Sequence, residues 1–321
     1  MIQSRPLVSI VIPTHNRKDM LIRLVKSILR SSYKRIEILI IDDASTDGTA
    51  QKARALYKGD KRIIIVRQEI NKFTAGSRNE GIRRAKGSYI FFIDDDNILH
   101  PNAIQEMVDV LQKDTTIGEL GPVNYGYPDK TAILWLKTER NMWTTKTYQP
   151  RCFSDDMKDV WETADVPNAF MVRSDVLKKH AISFDENFGI MYEESDFAYR
   201  IRAAGYRICV VKKAHIYHDI ERKEPDGTKR DYLYHFMSDP RRPYVFARNR
   251  LIFHSLFSSR IQNFFISLFW IWVFAMYYAY KMMMYRGMGD FVLSHRLWSV
   301  WQYTCGTFEG LQRILFGHRR L

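Results

Sequence analysis

"YIFFIDDDN", residues 89–97, runs five aromatic and β-branched residues straight into three consecutive aspartates. The first half has the composition of a buried strand. Carboxylates placed side by side repel, and keeping them ionised at a strand end takes hydrogen bonds or a cation. A positively charged partner is therefore expected at that point.

Three similar runs precede it: Leu7 to Pro13, Arg35 to Asp42 and Arg62 to Val66. Between the first two, Leu21, Leu24, Val25 and Ile28 recur at i, i+3, i+4 and i+7, which predicts an amphipathic helix with Asn16 as its cap. Further helices are expected over Thr49 to Tyr57, Ala75 to Lys86 and Pro101 to Gln112, the last opened by its proline. Near-continuous apolar strands alternating with helices predict an α/β fold with a parallel-dominated sheet covered on both faces. Its ligands should gather beyond the carboxyl ends of the strands, where Asp42, Asp43, Asp94, Asp95 and Asp96 sit. Residues 117–160 show no clean period and receive no element; they are expected to form the variable acceptor side. Order resumes at Val166 to Leu177 and at Tyr192 to Val211, a helix followed by a strand.

The formal charge of +13 points to a polyanionic partner, such as phosphorylated substrates or anionic lipid. No recognised nucleic-acid module accompanies it, so nucleic acid is not expected as a partner. Cys152, Cys209 and Cys305 are odd in number and widely spaced, which argues against a disulfide framework or a zinc site and for a reducing, cytosolic setting. The opening apolar run is short and interrupted by Pro13, unlike a signal peptide.

Asp94 and Asp96 share one face if the strand continues, and such hard oxygen donors suit Mg²⁺ or Mn²⁺ bound together with phosphate. "DASTDG", Asp43 to Gly48, resembles the opening of a calcium loop but has Arg54 where a bidentate glutamate is required. It reads instead as a strand-to-helix turn built on Asp47 and Gly48, leaving Asp43 for a ligand. In "YEESD", Asp196 can pair with Arg200 at i+4. Glu193 and Glu194 are expected just before that helix, where crowding of like charges raises the pKa of one towards that of a general base.

Taken in order, "VSIVIPTHNR", "LIIDDASTDGT", "AGSRNEGIRRAKGSYIFFIDDDN", "FDENFGIMYEESDFAYRIRAAGYRI" and "HIYHD" resemble a family 2 glycosyltransferase of the GT-A fold, from Val8 to His218. The resemblance implies an inverting, hexosyl-transferring enzyme of glycan biosynthesis that uses a nucleotide-diphosphate sugar. It implies that Pro13, Thr14, His15 and Asp43 hold the base and ribose, with Arg78 beside the nucleotide and Asp95 near ribose or sugar. Asp94, Asp96 and His218 would hold the Mg²⁺ or Mn²⁺, and Glu194 aligns with the base. Glu193 and Asn168 fall on the acceptor side.

The expected division is a catalytic domain over 1–240, with a nucleotide-binding half (1–115) and an acceptor half (116–240), then a helical extension over 241–321. Within the extension, Asn263 to Tyr280 is apolar around the whole helix and basic at both flanks: Arg248, Arg250 and Arg260 before, Lys281, Arg286, Arg296, Arg319 and Arg320 after. A bilayer span takes about 20 residues, so this segment is marginal as one. Shallow insertion at an anionic, cytoplasmic membrane face is expected, with Trp270, Trp272, Tyr277 and Tyr278 at the headgroups; the alternatives are one marginal membrane helix over 263–280 and a helix docked on the catalytic domain or at a dimer contact. A polyprenyl-phosphate-linked glycan would then be a fitting acceptor. Two rival readings are a sugar-phosphate nucleotidyltransferase and a non-catalytic nucleotide-sugar-binding scaffold. Against the first, the loop "PTHNRKD" lacks the glycine-rich phosphate cradle; an assay of transfer or donor hydrolysis separates the second.

Overall fold

A computed structural model describes residues 5–219, 232–239, 241–285 and 293–316. The basic residues Arg286, Arg319 and Arg320 and the boundary residue Pro240 lie outside them. Two compact units are present: 1–139, 149–189 and 193–220 in one, and 140–148, 190–192 and 221–321 in the other. The second unit thus takes in two short insertions from the region ahead of the expected extension.

As far as His218 the chain carries, in order, β1 (Val8–Thr14), α1 (Lys18–Leu29), β2 (Ile36–Asp42), α2 (Thr49–Leu56), β3 (Ile63–Arg67), α3 (Phe73–Arg84), β4 (Tyr89–Ile93), β5 (Asn97–Leu99), α4 (Ala103–Lys113), β6 (Ile117–Gly126), β7 (Ile133–Trp135), the two-residue β8 (Glu139–Arg140) and β9 (Thr147–Tyr148), of which Arg140 and β9 belong to the second unit, then β10 (Val160–Glu162), β11 (Ala169–Arg173), α5 (Ser174–Lys179), α6 (Glu193–Ala203) and β12 (Arg207–His218). The main sheet has the order β10-β12-β6-β11-β4-β1-β2-β3, with β5 on β12 and β7 on β6. It is mixed: β4, β1, β2 and β3 run parallel, as do β6 and β12, while β11 lies antiparallel between β4 and β6. The expected parallel character holds for β4, β1, β2 and β3 and not for the rest of the sheet as a whole.

Alternation along β1 explains why both faces are covered. Val8, Ile10 and Ile12 pack with Leu21, Leu24, Val25 and Ile28 of α1 and with Ile104, Met107 and Leu111 of α4. Val11 faces the other way, into the layer containing Ala75 of α3 and Phe197 and Ile201 of α6. Gly81 lets α3 close on that face, since a Cβ there would run into the Val11 side chain.

Local corrections follow from side-chain chemistry. Asn16 does not cap α1. It has φ of 53° and its side-chain carbonyl accepts the backbone N–H of Thr46 at 2.7 Å, tying down the loop after β2, while Arg17 occupies the cap position. α4 starts at Ala103, two residues after Pro101. The 43–48 segment is the expected turn: Asp47 accepts the N–H of Thr49 at 2.9 Å, and Gly48 has φ of 84°.

The second unit contains α7 (Tyr232–Ser238), α8 (Arg241–Phe257), α9 (Arg260–Phe265), a π-helical turn (Ile266–Trp270), α10 (Ile271–Met283) and α11 (Leu293–Phe316). α11 presses closely on α8 because Gly306 and Gly310 are one turn apart: a Cβ on the first would meet the Tyr244 carbonyl, and one on the second would lie 2.7 Å from Leu251 Cβ. From Arg260 to Met283 the helix is long and apolar enough to cross a membrane. One side of it packs inward through Ile266, Ile271 and Met282, and Tyr278, half-buried, stacks on Tyr303. The other side exposes Phe264, Phe265, Leu268, Phe269, Trp272, Met276 and Tyr280.

Candidate active site

β4 ends at Ile93 and the chain turns at once, so Asp94 and Asp96 are brought together by a turn and not by strand alternation. The antiparallel neighbour supplies the next residue: Ala169 pairs with Ile93, and the carbonyl of Asn168 accepts the Asp94 N–H at 3.0 Å. β5 pairs Asn97 with His218 of β12, which places the imidazole Nε2 3.5 Å from Asp96 Oδ1. The packing of α3 on the sheet delivers Arg78, and α6 opens with Glu193 and Glu194, inside the helix and not before it.

Arg78 is fully buried and lies between these groups. Its Nη2 is 2.8 Å from Asp94 Oδ1 and 2.7 Å from Glu194 Oε1, and its Nη1 is 3.7 Å from Glu193 Oε1. Phe170 and Phe184 approach the guanidinium, each with its ring centroid 5.4 Å away. The arginine expected beside the nucleotide is thus engaged by carboxylates from three sides of the site. Asn168 joins the same groups through its backbone and side chain. Its N–H donates to Glu194 Oε1 at 3.0 Å and its amide lies 3.4 Å from His218 Nδ1, with φ held at 67°.

The sequence reading missed Arg17, which answers the aspartates directly: Nη1 donates to Asp95 at 2.9 Å and to Asp96 at 3.0 Å. In "THNR" it looks like one more polar loop residue, and only its spacing behind β1 could have drawn notice. Thr14 donates to the other oxygen of Asp95 at 2.7 Å. His15 Nδ1 lies 2.6 Å from the Asp43 carbonyl, while the Asp43 carboxylate accepts the Lys72 N–H at 2.7 Å. Pro13, buried in β1 opposite Ile41, sets the direction of this loop. Asp196 is structural as expected, paired with Arg200 at 2.7 Å.

Burial sets the protonation pattern. It pushes Asp95 up to about 6 despite Arg17, and raises Asp94 and Glu194 against the opposing charge of Arg78. Burial and the Glu194 charge carry Glu193 up to about 8. Burial would raise Asp96 too, but the His218 hydrogen bond and charge take it down to about 2. His218 is raised in turn: burial disfavours its cation, and Asp96 outweighs the burial.

Among the described residues, no three acidic, thiol or imidazole side chains converge tightly enough to define a metal site. The donor types nevertheless fit Mg²⁺ or Mn²⁺. Asp94, Asp96 and His218 sit together and their side chains keep 20–26% of their surface open to solvent, where phosphate oxygens and water would complete the shell.

Known proteins share sequence and fold with this chain. GlyG of Streptococcus pneumoniae is 36% identical over 115 residues, covering 35% of this chain and 38% of that protein. WfaP of Escherichia coli, a UDP-Glc:alpha-D-GlcNAc-diphosphoundecaprenol beta-1,3-glucosyltransferase, is 44% identical over 91 residues, covering 28% of this chain and 36% of that protein. The chain therefore aligns with well under two thirds of these relatives. GalNAc-T7, solved with UDP, GalNAc and Mn²⁺, shares the fold at a TM-score of 0.64 and 15% identity, over 97% of this chain and 56% of that one. The model of glycosyl transferase family 2 matches residues 9–180, more than half of the 321, and the chain belongs to that family, with the GT-A fold.

Proposed function

We propose that the chain transfers a sugar, with inversion, from a nucleoside diphosphate to a hydroxyl of a lipid-linked glycan at the cytoplasmic face of a membrane. The observation that carries this reading is Arg78 Nη2, within 2.8 Å of both Asp94 and Glu194. It holds a carboxylate suited to a divalent cation beside a carboxylate suited to taking a proton.

Pro13, Thr14, His15 and Asp43 would receive the base and ribose, with Asp95 alongside. Asp94, Asp96 and His218 would hold Mg²⁺ or Mn²⁺, which when bound neutralises charge growing on the departing diphosphate. Glu194 accepts the proton of the attacking hydroxyl. Burial raises its pKa, while Arg78 and the Asn168 N–H favour its ionised form. A base and a leaving group on opposite faces of the sugar give a single displacement, and hence inversion. Glu193, further inside and pushed up to about 8, stays protonated and leaves the negative charge to Glu194. Arg78 serves as a positioning residue, orienting Asp94 and Glu194.

The Glu194→Gln variant tests the assignment: UDP binding with Mn²⁺ should persist while transfer falls by about 10²–10⁴. Undiminished turnover would overturn it. The membrane setting is supported by the net charge of +13 and by the exposed row of Phe264, Leu268, Phe269 and Trp272. The naming of WfaP for a diphosphoundecaprenol acceptor supports the lipid-linked acceptor. Flotation with anionic liposomes should recover the chain, and Leu268→Glu with Phe269→Glu should leave it in the soluble fraction; equal recovery would end the membrane reading.

A further inference from the structure

α11 is built inside out for a helix in water. A helix on the surface of a soluble protein turns its large apolar side chains inward and its polar ones to solvent. Here the buried seam consists of glycine and hydroxyl-bearing residues: Ser299, Tyr303, Gly306, Thr307 and Gly310. Leu297, Trp298, Trp301, Phe308, Leu315 and Phe316 stand outside, each with half or more of its surface open. At 100° per residue, Leu297, Trp301, Phe308 and Leu315 fall within about 40° of one another, which makes a continuous apolar stripe.

The polar groups of α11 are satisfied within the helix. Ser299, Thr304 and Thr307 donate to the carbonyls four residues back, those of His295, Val300 and Tyr303, at 3.0, 2.9 and 2.9 Å. Closure on the helix's own backbone suits a medium that offers no hydrogen bonds, and small residues at a seam are how helices approach one another in lipid. The stripe also continues onto the neighbouring helix: the rings of Trp272 of α10 and Phe308, both exposed, have centroids 6.3 Å apart. Trp272 belongs to the run from Arg260 to Met283 that is long and apolar enough to cross a membrane.

Charge identifies what covers this face. Among the described residues of the helical unit the carboxylates are Asp239 and Glu309, and both are engaged, the first by Arg241 at 2.9 Å and the second by the Tyr244 hydroxyl. Arg260, Lys281 and Arg313 are exposed on the same helices as the stripe. Exposed cations beside open tryptophans match an anionic lipid surface, whereas two copies meeting through this face would bring like charges together.

From this we infer that α11 lies on lipid beside α10, so that an anionic bilayer is met by a face of two helices and not by the Arg260–Met283 run alone. The inference rests on the membrane reading above and adds to it a second helix, with Trp301 and Phe308 entering the lipid. Each helix keeps its other side on protein, through Ile271 and Met282 in α10 and through the seam in α11, which suits lying along one leaflet.

Flotation of the full chain with vesicles of phosphatidylcholine and phosphatidylglycerol tests this. Trp301→Glu with Phe308→Glu should lower partitioning about a hundredfold, as loss of two large apolar side chains from lipid implies. Its Tm should stay within about 2 °C, because both side chains are exposed. Trp298→Phe with Trp301→Phe keeps the face apolar and should still float. It should lose about a third to a half of the tryptophan quenching by chain-brominated lipids, since Trp270 and Trp272 are then the tryptophans left on these helices. Flotation of the Trp301→Glu, Phe308→Glu chain at the unmodified level, while Leu268→Glu with Phe269→Glu abolishes it, would overturn the inference and leave the membrane reading in place. So would a dimer, seen by light scattering, that this variant turns into a monomer with flotation intact, which gives the face to a second copy. Failure of the unmodified chain to float removes the membrane reading itself, and the inference with it.

Discussion

Replacing Arg78 by methionine keeps an unbranched, buried side chain but leaves Asp94, Glu193 and Glu194 without the cation that all three face. Removing one partner of a buried ion pair costs about 3–5 kcal/mol, because the remaining charge stays desolvated. Arg78 is wholly buried and two of its contacts are hydrogen bonds shorter than 3 Å, so the upper part of that range is expected. For a unit of this size each kcal/mol moves Tm by about 2–4 °C, giving a loss of about 10 °C or more at pH 7.5. The pH dependence has a definite sign. Without Arg78 the carboxylates bind protons more readily when folded, so the folded variant regains stability as pH falls towards 5 and the deficit narrows. Thermal unfolding of both chains from pH 5 to 8 measures this, and adding Glu194→Gln to the variant should recover part of the loss. A deficit below about 1 kcal/mol, typical of an exposed pair, would refute the claim that one buried guanidinium holds the site together.

Glu193 titrates at about 8 when folded against 4.5 for the free group, so between those values the folded state keeps a proton that the unfolded state has released. Stability from this group falls as pH rises through that window. Glu193→Gln, which mimics the protonated form, should therefore raise Tm by several degrees at pH 8 and far less at pH 5; an equal change at both would contradict the assignment. Gly81→Ala places a methyl group against Val11, and despite the better helix propensity of alanine it should cost about 1–3 kcal/mol in a denaturant titration. A gain in stability would show that α3 can retreat from the sheet.

The first strands were legible because β1, β2 and β4 are β-branched and aromatic runs buried on both faces. β6 was not, although it is ten residues long and lies inside the sheet. Its sequence "IGELGPVNYG" is poor in side chains for a physical reason: a Cβ on Gly118 would lie 2.6 Å from Ile201, and one on Gly121 would strike Val166. Close packing from α6 and a neighbouring loop removed the very residues by which a strand is read. Within the proposed site, Asp94, Asp96, Glu194 and His218 were singled out by motifs, but their mutual arrangement left no mark in the sequence. It depends on the left-handed backbone of Asn168 and on the direction of the Arg78 side chain, neither of which leaves a periodic trace.

The π-helical turn at Ile266–Trp270 sets the phase of everything after it. Such a turn accommodates one residue more than regular α-helical winding, and each residue advances the helix by about 100°. Winding the same five residues as regular α-helix would thus rotate Trp272, Met276 and Tyr280 by roughly a quarter turn relative to Phe264 and Phe265. The continuous apolar stripe would break in two, and Ile271 and Met282 would swing out of their buried seats. An irregularity of one residue therefore keeps the inward seam and the outward stripe in register along the same rod, and loss of one residue here, which lets the turn relax to regular α-winding, should preserve that register where a further insertion would break it.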